Sequence, residues 1–187
     1  LAEIIKYGVI MDKPLFWYIE QHSEAISHFR YDDCSDIWHF MIEKSIQNKA
    51  MVVSEDEKES DYREILNYGH TIGHAIESMF DYSTYSHGEA IAIGMVVEAF
   101  LAKERQLLSS DCFDRIQSLI LQFGYSFQLE SYRLSDFFSA MKLDKKVRKG
   151  KVRFVLPVDI GKTKTVDSIT DSQVSVGLNT ILGGCIE

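Results

Sequence analysis

Apolar side chains recur along most of the chain at the three- and four-residue spacing of amphipathic helices. The helices that this spacing predicts lie at 1–9, from Pro14, at 35–53, at 61–80, at 87–105, from a cap at Ser109 to before Gly124, from Ser135, and at about 171–183. The 87–105 segment is apolar on almost every side of its first turns, which places it at the centre of the domain.

A strand-like alternation is confined to residues 151–158, KVRFVLPV, with a pairing segment at 163–166 across Ile160-Gly161. These patterns predict a mainly α fold in one domain over residues 1–187, with a small β-hairpin near the C-terminus. The sequence contains neither the glycine-rich dinucleotide fingerprint nor a phosphate-binding loop. We therefore expect no nucleotide site built by this chain alone.

Composition and charge narrow the function. The 187 residues carry a formal net charge of -8, which argues against nucleic-acid binding, and no apolar stretch approaches the length of a membrane span. Residues 142–153 nevertheless hold seven cations and one anion, a patch that suits a small anionic ligand. The three widely spaced cysteines indicate a reducing cytoplasm. The first residues carry no signal peptide and open directly in a helix, which predicts a fragment without its upstream part.

The predicted 61–80 helix carries an unusual polar stripe. Its members fall at spacings of four, three, four and three residues, which would place all of them on one helix face: Arg63, Asn67, His70, His74 and Glu77. Gly69 and Gly73 sit beside the stripe and disfavour the helix unless another element packs closely there. A solvated face with incidental histidines is the alternative interpretation.

The histidine spacing suggests a metal site. His70 and His74 lie four residues apart, so both could ligate one ion, although the glutamate of the zinc-protease motif is missing between them. His87 begins the next predicted helix and could either bind the ion or cap that helix. Glu3, with Lys6 one turn later, could complete the site, but spacing alone does not select it among the acidic residues.

Six segments together resemble the C-terminal domain of 3-dehydroquinate synthase: LAEIIKYG, KAMVVSEDEKESDYR, LNYGHTIGHAIE, HGEAIAIGMV, LDKK and VRFVLPVDIG. They occur in the order and spacing of that family and cover essentially the whole chain. The resemblance implies a helical metal-binding domain over residues 1–187, with the N-terminal NAD-binding Rossmann-like domain absent from this chain. Two departures from the family pattern are Asp61, where glycine is usual, and Gly124-Tyr125-Ser126, where Gly-Leu-Pro is common.

The resemblance also implies the roles of individual residues. It assigns zinc to Glu3, His70 and His87, and makes His74 a contact of the substrate phosphate and a participant in proton transfer. Lys6 is expected at a substrate hydroxyl near the metal.

The other substrate contacts that the resemblance implies are cationic or polar. Lys49 and Arg63 are expected to bind the substrate carboxylate, and Asn67 and Lys145 the phosphate. The neighbouring Lys146 stays open as the alternative to Lys145. Lys49 could instead stabilise a helix C-terminus through the helix dipole.

The implied activity is conversion of 3-deoxy-D-arabino-heptulosonate 7-phosphate to 3-dehydroquinate with loss of phosphate, in the shikimate pathway of aromatic amino acid biosynthesis. The cofactors would be Zn²⁺, with Co²⁺ as a substitute, and NAD bound mainly by the absent domain. The enzyme would be a cytoplasmic lyase and a homodimer when full length, and this chain alone would be inactive. The expected binding partner of the enzyme is a small anionic sugar phosphate, and binding to nucleic acid or to a membrane is not expected.

Three alternatives stay open from the sequence. A sibling sugar phosphate cyclase, such as a 2-deoxy-scyllo-inosose or 2-epi-5-epi-valiolone synthase, would share the metal ligands and differ at the carboxylate contacts. A metal-dependent polyol dehydrogenase of the glycerol dehydrogenase type would need an aspartate ligand and no phosphate contacts. A non-catalytic module could hold zinc structurally.

Overall fold

The structure is a computed structural model that describes residues 1–28, 31–57, 62–143, 147–148 and 151–183. Its helices, in chain order, are α1 (Ala2–Ile10), α2 (Lys13–Gln21), α3 (Ser23–Ser27), α4 (Tyr31–Glu55), a 3-10 helix (Tyr62–Asn67), α5 (His70–Met79), α6 (His87–Glu104), α7 (Ser110–Gln122), α8 (Leu134–Leu143) and α9 (Asp171–Leu182). The strands are β1 (Val147–Arg148), β2 (Lys151–Val152), β3 (Phe154–Asp159) and β4 (Lys162–Val166). The predicted fold class, mainly α with a small hairpin near the C-terminus, is confirmed.

Helix α6 is the centre of the core, as its apolar sequence predicts. Its residues from Ala90 to Ala102 are all buried, and α1, α5, α7, α9 and β3 pack around it. Its first turn is fixed by a capping box in which the Ser86 hydroxyl accepts from the Glu89 amide and the Glu89 carboxylate accepts from the Ser86 amide. The cap determines where the helix begins, and therefore places His87 at the edge of the core.

The single helix predicted over 61–80 is wrong. The chain instead forms the 3-10 helix, turns at Tyr68 and Gly69, and then begins α5. Gly69 has a φ of 79°, a left-handed conformation that glycine adopts without strain, and its amide donates to the buried Glu98 carboxylate at 2.8 Å. The five polar residues of the stripe therefore belong to two elements rather than to one helix face.

Helices α5 and α6 approach each other closely where glycines replace larger side chains. A β-carbon at Gly73 would lie 2.7 Å from Ile91 Cδ1, and one at Gly94 would overlap the Gly69 carbonyl oxygen. The expectation that something packs against the glycines of this segment is confirmed. The backbone of α5 is consequently held against α6, which fixes the separation of the histidines that the two helices carry.

The predicted hairpin is present, with different bounds. Strands β3 and β4 pair antiparallel from Phe154 with Val166 to Asp159 with Lys162, and an irregularity in the register lies between Pro157 and Asp159. The two-residue strands β1 and β2 form a second antiparallel pair. Within the described residues, no helix is long and apolar enough to span a lipid bilayer.

Candidate metal centre

Glu3 and Lys6 on α1 form one wall of a cluster of charged and imidazole side chains. The Lys6 ammonium donates to Glu3 Oε2 at 2.7 Å and to the Leu66 carbonyl oxygen at 2.9 Å. Only 3% of Lys6 is exposed, so the charge is held by these acceptors rather than by bulk water. The predicted proximity of Glu3 and Lys6 is therefore present in the structure.

The pKa of the Glu3 carboxyl reflects this environment. Burial raises the pKa, but the Lys6 ammonium, assisted by His70 and His87, outweighs burial and brings the pKa below its usual value. Glu3 is thus held as a carboxylate, the form that ligates metal ions.

His70 begins α5 directly after the turn at Gly69. Its Nδ1 lies 3.0 Å from the Tyr68 carbonyl oxygen, an acceptor that fixes the proton on Nδ1 and makes Nε2 the candidate ligand nitrogen. That Nε2 lies 3.5 Å from Glu3 Oε1. Glu3 Oε1 is itself buried and accepts no hydrogen bond from the described part of the chain. A buried carboxylate oxygen that faces an imidazole nitrogen is the arrangement expected around a cation.

His87 enters the cluster from the first turn of α6. Its Nδ1 lies 3.0 Å from Glu77 Oε1, and the Glu77 side chain is only 9% exposed. Because the carboxylate is the acceptor, the Nδ1 proton is fixed and Nε2 is again the nitrogen that faces outward from the pair. Carboxylate-histidine pairs of this kind orient imidazole ligands in metal sites.

The cluster fits a transition-metal ion. Glu3, His70 and His87 each offer one ligand atom, and these atoms lie within 4.8 Å of one another. One carboxylate and two imidazoles form a normal catalytic zinc set with room for a further ligand. The buried Glu3 Oε1 without a hydrogen bond and the fixed Nδ1 protons of both histidines agree with this donor set.

The remaining predicted contacts lie in different places. The His74 ring is half-buried, with its centroid 5.2 Å from that of His70 and 6.1 Å from that of His87. Arg63 and Asn67 lie half-buried on the 3-10 helix, where the Arg63 amide donates to the buried Asp56 carboxylate at 3.0 Å. Lys49 is exposed on α4. The described residues do not include Lys145, Lys146 or Asp61.

Two contacts escape sequence reasoning. The ion pair between Arg153 and Glu64 measures 2.6 Å and ties the end of the basic 142–153 segment to the 3-10 helix. The Tyr125 hydroxyl accepts from the Ala2 amide at 3.1 Å and so anchors the start of α1, one residue before Glu3. No spacing rule signals either contact, because the partners are far apart in sequence. The bond between His87 and Glu77 also joins two helices, although the polar stripe had already singled out Glu77.

Solved structures with the same architecture identify the class of fold. A 2-epi-5-epi-valiolone synthase from Streptomyces hygroscopicus subsp. jinggangensis, with NAD⁺ and Zn²⁺ bound, superposes with a TM-score of 0.84 at 22% identity, over 96% of this chain and 49% of that one. A 2-deoxy-scyllo-inosose synthase complexed with carbaglucose-6-phosphate, NAD⁺ and Co²⁺ gives a TM-score of 0.74 at 22% identity, over 97% of this chain and 51% of that one. The fold of this chain therefore matches that of about half of each of these two synthases.

Relatives in sequence define the family. The 3-dehydroquinate synthase of Caldanaerobacter subterraneus subsp. tengcongensis is 46% identical over 166 residues, 89% of this chain and 46% of the relative. That of Prochlorococcus marinus subsp. pastoris is 43% identical over 92% of this chain and 47% of its own length. Residues 1–147 match the 3-dehydroquinate synthase C-terminal family, and the chain belongs to it. The chain spans about half the length of these relatives.

The low pKa of Glu3 gives a testable pH dependence. A carboxyl whose folded pKa is below its unfolded value stabilises the fold at higher pH, and this stability is lost as the pH falls through the usual glutamate range, about pH 5–4, toward the folded pKa. In zinc-free buffer with chelator, Glu3→Gln is expected to flatten the decline of unfolding free energy over this range. Urea denaturation at a series of pH values measures it, and an unchanged slope in the variant contradicts the assignment.

Proposed function

We propose that this chain is the metal- and substrate-binding part of a 3-dehydroquinate synthase that eliminates phosphate from 3-deoxy-D-arabino-heptulosonate 7-phosphate. The observation that carries the proposal is the convergence of Glu3, His70 and His87 beside Lys6, in a chain that belongs to this family. An N-terminal Rossmann-like domain would complete the enzyme and bind NAD, which supplies reversible hydride transfer. The homodimer and the cytoplasmic location stay predictions.

In this proposal Glu3, His70 and His87 hold zinc. The bound ion supplies a Lewis acid that stabilises negative charge on a substrate hydroxyl oxygen. Lys6 places an ammonium group next to Glu3, and its contact with the Leu66 carbonyl fixes the position of that group. Lys6 is thereby suited to bind and orient a hydroxyl at the edge of the metal centre.

The anionic ends of the substrate require cationic and polar partners. Arg63 offers a planar guanidinium that matches a carboxylate, and Lys49 would act with it as a point charge. Asn67, His74 and Lys145 are the proposed phosphate contacts. His74 lies beside both proposed histidine ligands, and an imidazole can both accept and donate a proton, as exchange with the departing phosphate requires.

A sibling sugar phosphate cyclase is the second candidate, since the structures with the same fold carry such names. Lys49 and Arg63 favour an acid substrate over a sugar phosphate without a carboxylate. A polyol dehydrogenase is less well supported, because the carboxylate in the described donor set is a glutamate rather than the expected aspartate.

The activity is tested on the full-length gene product with 3-deoxy-D-arabino-heptulosonate 7-phosphate, NAD⁺ and Zn²⁺. We expect stoichiometric release of phosphate and 3-dehydroquinate. Arg63→Met is expected to raise KM strongly, and Arg63→Lys to raise it less, because both variants lose the planar guanidinium while lysine keeps the charge. Turnover of a sugar phosphate that lacks the carboxylate, with no turnover of the acid, would identify a sibling cyclase instead.

Glu77 is expected to tune zinc affinity without touching the ion in this site. Glu77→Gln keeps the size of the side chain but weakens the acceptor that orients His87, so zinc affinity is expected to fall about 10- to 100-fold. Competition with a chromophoric chelator measures the affinity of this chain. Glu89→Gln is the matched control, since Glu89 caps the same helix but bonds to Ser86 rather than to His87. Equal affinities in Glu77→Gln and the parent contradict the orienting role.

A further inference from the structure

A second group of potential metal ligands lies beside the first. His74, Glu77 and His87 each offer one ligand atom, and these atoms also lie within 4.8 Å of one another. Two of the three residues, His74 and Glu77, come from one face of α5, where a spacing of three residues brings side chains together. The third, His87, is shared with the Glu3 and His70 cluster.

The burial of Glu77 is the first reason to regard this group as a metal position. Its side chain is 9% exposed, and His87 Nδ1 lies against its Oε1. A buried carboxylate is costly unless hydrogen bonds or a cation compensate it. Glu77 therefore has a stronger requirement for positive charge than a surface glutamate has.

Distances give the second reason. Ligand atoms of a tetrahedral zinc site lie about 3.3 Å apart, since each bond is about 2.0–2.1 Å long. The separation of 3.0 Å between His87 Nδ1 and Glu77 Oε1 is within a few tenths of an ångström of this value. The carboxylate and the imidazole therefore need little movement to become two ligands of one ion, and the neighbouring His74 ring supplies the third.

We propose that His74, Glu77 and His87 form an alternative position for a divalent transition-metal ion. An ion at this alternative position excludes an ion from the first position, which is formed by Glu3, His70 and His87. A neutral imidazole binds a metal through one nitrogen and carries its proton on the other. Binding at the alternative position uses His87 Nδ1, so the ring proton moves through solvent to Nε2 and no net proton is released. His87 Nε2 is then unable to serve the first position, and the two positions exclude each other.

As a consequence, the chain binds one metal ion tightly, and that ion can occupy either of two positions. An ion at the alternative position is separated from Glu3 and occupies His74, which the proposed function reserves for phosphate. Metal binding at this position does not itself depend on that function. Loss of a first-position ligand is expected to transfer the ion rather than to release it.

The test measures zinc binding to this 187-residue chain by competition with a chromophoric chelator. His70→Ala disables the first position only, and it is expected to bind one zinc ion at least about tenfold more weakly than the parent. Adding His74→Ala to this variant is expected to weaken binding by at least a further tenfold or so, because a ligand of the alternative position is lost. Glu3→Gln disables the first position from α1 and is expected to behave like His70→Ala.

The matched control is His39→Ala in the His70→Ala background, which removes an exposed imidazole from α4 instead of His74. This double variant is expected to retain the affinity of His70→Ala. Far-UV circular dichroism and Co²⁺ absorption verify that each variant is folded and that the ion has imidazole ligands. The proposal is overturned if folded His70→Ala and Glu3→Gln bind no zinc, or if His74→Ala and His39→Ala have equal effects in the His70→Ala background.

Discussion

The variant His87→Ala is expected to lose stoichiometric zinc binding, with its zinc affinity lowered about 1,000-fold or more. The substitution removes a ligand and also a side chain that helps to order the rest of the site for the ion. His87 is the residue that both candidate positions share. Its replacement also leaves the buried Glu77 carboxylate without its imidazole partner. Titration of this chain with zinc against a chromophoric chelator gives both stoichiometry and affinity.

The companion variant is His74→Ala, which is expected to keep nearly the parent affinity because Glu3, His70 and His87 remain. A His22→Ala variant controls for the loss of any imidazole, since His22 bonds to the Tyr18 carbonyl and belongs to neither group of candidate ligands. If His74→Ala were the variant that loses tight zinc binding, the Glu3, His70 and His87 assignment would be wrong. A structural or dehydrogenase-like metal site would then be the better interpretation.

Gly94→Ala is expected to destabilise the fold by about 3 kcal/mol or more, since overpacking of a rigid interface commonly costs 1–3 kcal/mol and more where backbone must move. The added β-carbon would overlap the Gly69 carbonyl oxygen and approach Gly73 N to 3.0 Å. Both neighbours are backbone atoms, so no side chain can rotate away. Urea denaturation in the presence of chelator measures the change without the contribution of bound metal.

Gly88→Ala is the control from the same helix. The nearest atom to its added β-carbon is the Tyr125 hydroxyl oxygen at 3.5 Å, an ordinary contact, so the substitution is expected to be neutral or slightly stabilising. Gly94→Ala is also expected to weaken zinc binding, because separation of α5 from α6 moves His70 away from His87. Equal stability of the two alanine variants would contradict the close approach of the helices.

Much of the helical architecture could be predicted because local signals agree with tertiary packing. The Ser86 and Glu89 capping box fixes the start of α6, and the Ser109 cap fixes that of α7. The 61–80 segment misleads because its apolar spacing continues through Gly69, while a tertiary contact from Glu98 holds the Gly69 amide in a turn. The periodicity of apolar residues carries no information about that contact.

The residues of the candidate site could be predicted from the sequence, but the hydrogen-bond partners of these residues were harder to predict. Motif resemblance selected Glu3, His70 and His87, which spacing alone could not distinguish from His74. The pairing of His87 with Glu77 crosses from one helix to another and depends on how α5 packs on α6. The anchoring of Ala2 by Tyr125 likewise depends on the path of the whole chain.

The turn at Gly69 divides the candidate site residues between two parts of the structure that are held in place separately. The proposed metal ligands His70 and His87 belong to α5 and α6, which the glycine contacts hold close together. Arg63 and Asn67 belong to the 3-10 helix, which Glu64 ties to Arg153. Evolution could therefore change the part proposed to bind the acid and phosphate groups while the proposed metal ligands stay in place. A family built in this way can diversify its substrates without redesigning its metal chemistry.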